Sequence, residues 1–165
     1  MPEKKWIFDT VSLSNFLLSD SIFLLEDRYE KNAFITTQVY DEIIDGVYKH
    51  PDLELINGLI KRKSFILHNL SGNEREKYIK LIGHLGKGEA SCIAFAKEES
   101  GIVVTDDRSA RKKCIEMNIP LTGTIGILKA SLIDGQVDHR QADEILNKMI
   151  IKGFHSPVRS ISDIV

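Results

Sequence analysis

Ile102-Val103-Val104-Thr105-Asp106-Asp107 decides how this chain folds. The run Ile-Val-Val-Thr reads as a short, fully apolar strand bounded by turn signals, Gly101 before it and two aspartates after it. A strand with no polar alternation is buried on both faces, and that is the signature of a parallel sheet covered by helices. Outward from this strand, the same kind of short run recurs at Lys5-Trp6-Ile7-Phe8, Ala33-Phe34-Ile35-Thr36, Ser64-Phe65-Ile66-Leu67 and Ile119-Pro120-Leu121.

Helical spacing fills the intervals. Residues 12–19 and 21–29 carry an apolar stripe of Leu13, Phe16, Leu17, Leu24 and Leu25. Thr36 or Thr37 is placed to cap a helix bearing Val39, Ile43, Ile44 and Val47. Further helices are predicted over 52–61, 73–83, 89–99, from Asp106-Asp107 to Met117, 124–133 and 140–151. The helix over 89–99 follows a Gly86-Lys87-Gly88 turn and is rich in Ala and Ser, whose small side chains permit close approach to a sheet. Strands alternating with helices predict an α/β protein, a three-layer α/β/α arrangement with a central parallel sheet, as one domain over residues 1–165.

Composition narrows the class. Of 165 residues 42% are hydrophobic and 28% charged, a globular profile. The 22 basic and 24 acidic residues leave a net charge of −2, which disfavours coating of nucleic acid by bulk charge but permits a locally basic groove. No apolar run approaches the ~20 residues that cross a bilayer. The start, Met1-Pro2-Glu3-Lys4-Lys5-Trp6, lacks the apolar core and cleavage site of a secretory leader. Cys92 and Cys114 are too few for a disulfide framework. The expectation is a cytoplasmic protein with reduced thiols and no membrane partner.

Strand ends are where open α/β sheets collect their chemistry. Asp9 follows the first strand, and Asp106 and Asp107 follow the strand quoted above. Glu42 and Glu89 lie early in helices. If the sheet gathers these ends, four or five carboxylates share one pocket and raise one another's pKa. A hard divalent cation relieves that repulsion, and carboxylate oxygens select Mg²⁺ or Mn²⁺ over zinc. One or two such ions could serve phosphodiester hydrolysis. Taken singly, each acid has an ordinary reading as well, as a turn former, a helix-surface charge or an N-cap; their order along the chain is what makes the joint reading. Beside the acids, Arg108, Arg111 and Lys112 fall on one helix face and Lys87 lies in the glycine turn, a set suited to backbone phosphates. The five histidines show no ligand spacing and read as surface residues.

Four segments in series, Trp6-Ile7-Phe8-Asp9-Thr10, Val39-Tyr40-Asp41-Glu42-Ile43, Leu85-Gly86-Lys87-Gly88-Glu89-Ala90 and Val104-Thr105-Asp106-Asp107-Arg108-Ser109-Ala110-Arg111, resemble the PIN-domain family. Leu121-Thr122-Gly123-Thr124-Ile125-Gly126-Ile127-Leu128 looks like the segment that follows in a VapC-like prokaryotic branch. The resemblance implies a Mg²⁺- or Mn²⁺-dependent ribonuclease, with RNA as substrate. It places catalytic acids at Asp9, Glu42, Glu89 and Asp106, and adds Asp107 as an extra metal ligand. It further implies the toxin of a type II toxin–antitoxin pair, with a cognate antitoxin and a homodimer as partners. Two positions depart from the pattern. Val11 stands where many members carry a small polar residue, with Ser12 as its substitute, and Ser109 stands where others carry an acid.

Rival chemistries find less support. A haloacid-dehalogenase-type phosphatase needs a second Asp at the position of Val11. Gly86-Lys87-Gly88-Glu89-Ala90-Ser91 lacks the third glycine of a dinucleotide fingerprint and the Ser or Thr of a P-loop. Cys92 and Cys114 lie within helices beside no obvious His, against a cysteine nucleophile. The alternative that stays open is a catalytically weak or inactive PIN-like module that binds RNA or a protein partner.

Overall fold

Two residues after β1 (Trp6–Phe8) the chain is already helical, because Asp9 ends the strand and caps α1 (Thr10–Leu18). The computed structural model describes residues 3–164. Met1, Pro2 and Val165, and with them the first two positions of the start read above, lie outside the described residues. The chain continues through α2 (Ile22–Arg28), β2 (Ala33–Thr36), α3 (Thr37–Gly46), a 3-10 turn (Pro51–Glu54), α4 (Leu55–Lys61), β3 (Ile66–His68), α5 (Gly72–Leu81) and α6 (Lys87–Glu99). It closes with β4 (Ile102–Val104), α7 (Arg108–Glu116), β5 (Leu121–Thr122), α8 (Thr124–Ile133), α9 (His139–Ile151) and a second 3-10 turn (Ile161–Asp163).

All five strands are parallel, in the order β3-β2-β1-β4-β5, and helices cover both faces as a three-layer α/β/α fold. Trp6 pairs with Ala33 on one side and with Ile102 on the other, so β1 is central and winding reverses between β1 and β4. Such a reversal opens a crevice at the carboxyl ends of the two strands, since the connecting helices leave in opposite directions. Asp9 and Asp106 are carried there by the topology itself.

Burial explains the layers. Ile7, Phe8, Ile35, Val103 and Val104 are fully covered, as a double-faced sheet requires. Ala90, Ser91, Cys92, Ala94 and Ala96 form the buried face of α6, which lies against β1, β2 and β4. Phe8 packs edge-on to both Tyr29 and Phe65, with ring centroids 5.6 and 5.4 Å away. Among the described residues no helix is long and apolar enough to cross a membrane.

Several sequence expectations shift. Helix α1 starts at Thr10 rather than Ser12, because the Asp9 carboxylate already accepts the Thr10 N–H. Helix α6 starts at Lys87, so Lys87 and Gly88 belong to its first turn and only Gly86 remains as the cap. The helix predicted over 52–61 is split, with Pro51 opening a 3-10 turn before α4. Strand β3 moves two residues on, since Ser64 and Phe65 donate to the Leu59 carbonyl and finish α4 instead. Strand β5 begins at Leu121: Pro120 has no N–H to give, though its carbonyl accepts from Val103 at 3.0 Å. His68 is half-buried rather than freely exposed. Its ring stacks on Phe95 at 3.7 Å and meets the buried Glu74 carboxylate at 2.6 Å.

Candidate functional site

Asp9 is 3% exposed, the most deeply buried of the candidate acids. Its Oδ1 accepts the Thr10 N–H at 2.7 Å, and its Oδ2 accepts the Thr105 hydroxyl at 2.7 Å. Two hydrogen bonds do not replace the water it has lost. Burial, reinforced by the negative charges of Glu89 and Glu42, pushes its carboxyl from the ordinary 3.8 up to about 7.

Glu42 reaches in from the second turn of α3. Its Oε1 accepts the Gly88 N–H at 2.7 Å, and its Oε2 accepts the Thr10 hydroxyl at 2.9 Å. Glycine at position 88 is what permits the approach: a Cβ there would stand 2.6 Å from Glu42 Oε1. Glu89, half-buried in the first turn of α6, has its carboxyl raised by burial, then by Asp107 and Glu42. Asp9, Glu42, Glu89 and Asp107 thus feel one another electrostatically.

Asp106 is held differently. The N-terminus of α8 turns toward it, with Thr124 giving its N–H to Oδ1 at 2.9 Å and its hydroxyl to Oδ2 at 2.5 Å. Ser12 donates to the same Oδ2 at 3.1 Å, and Asn15 Nδ2 stands 3.5 Å from it while donating to Thr124 Oγ1. A helix N-terminus is a favourable place for a carboxylate. Asp107 serves as N-cap of α7, accepting the Ala110 N–H at 2.8 Å. Asp106 and Asp107 nevertheless line the same groove as Glu89.

The acids therefore flank one crevice without forming a closed cage. Among the described residues, no three His, Cys, Asp or Glu side chains stand close enough to hold an ion as they are. Asp9, Glu42, Asp106 and Asp107 each accept from a hydroxyl or a backbone N–H instead. The donor set still fits a hard divalent cation, because the five candidate acids offer only carboxylate oxygens, although His50, Lys152 and His155 line the same groove. Cys92 adjoins Asp9 but is fully buried, its thiol pushed up by desolvation and directed at the Phe8 carbonyl, 3.7 Å away.

The cationic residues divide into two kinds. Lys87, Arg108 and Lys112 are exposed and free to meet phosphates. Arg111 is half-buried, with Nη1 donating to the Thr105 carbonyl at 2.8 Å. One of its five N–H groups is thereby committed, and the side chain lines a second groove with Asp106 and Gly123.

A family model described as the PIN domain matches residues 5–165. The chain belongs to the PIN-domain family. PIN domains are in general nucleases and typically use divalent metal ions, so nuclease-like chemistry is the class to which this crevice belongs. A search among curated proteins found no significant match.

Sequence reasoning missed the polar frame of this PIN domain. Thr10, Asn15, Thr105 and Thr124 position the acids, and only Thr105 and Thr124 adjoin a recognisable feature, the strand end and the Gly123 turn. Ser12 takes up the position opposite Asp106, while Val11 is 59% exposed and lines the groove shared by Glu89, Asp106 and Asp107. Lys152, Phe154 and His155, from the segment after α9, also line the site. Gly153 was the available signal for them, as a helix-ending residue.

Proposed function

We propose that this PIN domain is a Mg²⁺- or Mn²⁺-dependent endoribonuclease that hydrolyses RNA phosphodiester bonds. The observation that carries the reading is the buried Asp9, electrostatically coupled to Glu42 and Glu89 in an acid-flanked crevice at the sheet's winding reversal.

Asp9, Glu42, Glu89 and Asp106 would hold the cation, with Asp107 as a further ligand. When bound, the ion supplies Lewis-acid polarisation of the phosphate and a more acidic water. The chain's own contribution is preorganisation. Thr105 and Thr10 fix both oxygens of Asp9, Gly88 and Thr10 fix those of Glu42, and the α8 N-terminus fixes Asp106. Lys87, Arg108, Arg111 and Lys112 would seat the phosphate backbone, a positioning role that carries affinity rather than sequence choice.

In the cell we assign the protein the part of a cytoplasmic type II toxin, working as a homodimer and silenced by an antitoxin. Finding a small DNA-binding protein encoded beside it would support that assignment. One observation favours a second reading, a binding module of weak activity: Asp106 is already satisfied by neutral protein donors. Incubation with structured and unstructured RNA decides between the two. Cleavage that needs Mn²⁺, stops with EDTA and is lost in Asp9→Asn and Asp106→Asn supports the nuclease. Retention of RNA without cleavage, in Mn²⁺, overturns it in favour of the binding module.

A further inference from the structure

Two grooves meet at Asp106. One, of about 420 Å³, is lined by Asn15, Glu89, Asp107 and Lys152; the other, of about 460 Å³, by Arg111, Thr122, Gly123 and Gly126. Three residues line both: Asp106, Phe154 and His155. The partition between the grooves is therefore the segment that leaves α9, standing over an acid of the site.

That segment is aimed by its own backbone. Gly153 adopts φ of +113°, the left-handed turn that ends a helix. Gly153 donates to the Ile150 carbonyl at 3.0 Å and Phe154 to the Met149 carbonyl at 2.9 Å, the paired bonds of a Schellman stop. Phe154 packs against the core and anchors the turn, which leaves His155 exposed above Asp106. Each groove also holds a cation at its side, Lys152 in one and Arg111 in the other. Acid in the centre with a cation on either flank suits a chain whose charge repeats at each unit.

We propose that Phe154 and His155 form a substrate-seating ridge, across which RNA lies with one nucleotide in each groove and the bond to be cut at Asp106. The proposal rests on the ribonuclease reading and adds residues that the acidic site does not require. His155 presents a ring N–H to the phosphodiester in either tautomer, so it is a positioning and specificity residue, not a catalytic one. Two occupied grooves also make the bond internal to a chain, because a unit must lie on each side of it.

The test uses the full chain with labelled oligouridine. In Mn²⁺, His155→Ala raises KM about tenfold with little change in kcat, His155→Lys restores it, and His155→Glu is the weakest binder. Binding measured by anisotropy in Ca²⁺, another oxygen-seeking cation, follows the same order. Thiouridine-substituted RNA, irradiated in the same buffer, crosslinks to the peptide containing Phe154 and His155. His155 is exposed, and an unchanged melting temperature shows that the variants fold. A wild type that cuts RNA, with all three variants at wild-type KM and crosslinks elsewhere, overturns the ridge alone. A wild type that neither binds nor cuts RNA overturns the ribonuclease reading and the ridge with it.

Discussion

Thr105 gives its hydroxyl to Asp9 Oδ2 at 2.7 Å and so ties the end of β4 to the end of β1 where the sheet's winding reverses. The bond orients the carboxylate but does not offset its burial, and the group keeps its proton up to about pH 7.

A stability profile follows from that. Unfolded, Asp9 releases its proton near 3.8; folded, near 7. Between those values the folded state binds more protons, so metal-free stability declines as pH rises and levels off above about pH 7, a loss on the order of 4 kcal/mol. Asp9→Asn removes this slope. In EDTA at about pH 8 the variant melts higher than wild type, and the difference vanishes near pH 4. Mn²⁺ restores the wild type at pH 8 and does little at pH 5, where it competes with the proton. Thermal unfolding across pH, with and without the ion, reads all of this, and a parallel pair of profiles in EDTA contradicts it.

Gly88→Ala tests the packing of Glu42. In most helix positions Ala is better than Gly by about 1 kcal/mol. Here its Cβ would lie 2.6 Å from Glu42 Oε1, the oxygen that accepts the residue-88 N–H. The carboxylate must swing away and lose that bond. We expect no gain in stability and a fall in cleavage of at least about tenfold, by analogy with lost ligand-orienting contacts at metal sites. Urea unfolding and RNA cleavage on the same sample measure both.

How much of this was legible beforehand depended on range. Ile102-Val103-Val104 is apolar throughout, with Val103 and Val104 buried and Ile102 half-buried, so its sequence alone carries the parallel sheet, and the acids at its end and at the end of β1 follow from where strands stop. Thr10, Asn15 and Thr124 are another matter, and Ser12, expected to substitute for Val11, was legible without its partner. Ser12 and Asn15 meet Asp106 across more than ninety residues, and Thr124 meets it across 18. Nothing local distinguishes a buried donor from an exposed one in a helix. The shifted starts of β3 and β5 were local decisions, taken by the end of α4 and by the missing N–H of Pro120. His68 deceived for a related reason: its partners, Phe95 and Glu74, come from two other helices.

Thr124→Val separates the cap from the acid. The substitution keeps the backbone N–H on Asp106 Oδ1 but removes the hydroxyl on Oδ2 and leaves Asn15 Nδ2 only its long, 3.5 Å contact with Asp106 Oδ2. A buried donor without a partner costs about 1–3 kcal/mol. Cation affinity and cleavage fall together, by about ten- to a hundredfold, because Asp106 loses its strongest orienting contact. Titration calorimetry with Mn²⁺ gives the first and gel-resolved cleavage the second. Unchanged affinity would mean that Asp106 does not ligate.

Gly153 and Gly135 offer a matched pair for the ridge. Both have left-handed backbones, with φ of +113° and +77°, and a Cβ on either would meet nothing within 4 Å. Alanine at each therefore suffers only the backbone penalty, about 1 kcal/mol, with no steric contribution to confuse it. The two positions differ in what they aim. Gly135 ends α8 and lines neither groove, whereas Gly153 sets the direction of Phe154 and His155 over Asp106. Gly153→Ala and Gly135→Ala should thus lower the melting temperature alike, while only Gly153→Ala raises KM for RNA. Equal KM values in the two variants would leave the turn after α9 as a helix stop and nothing more.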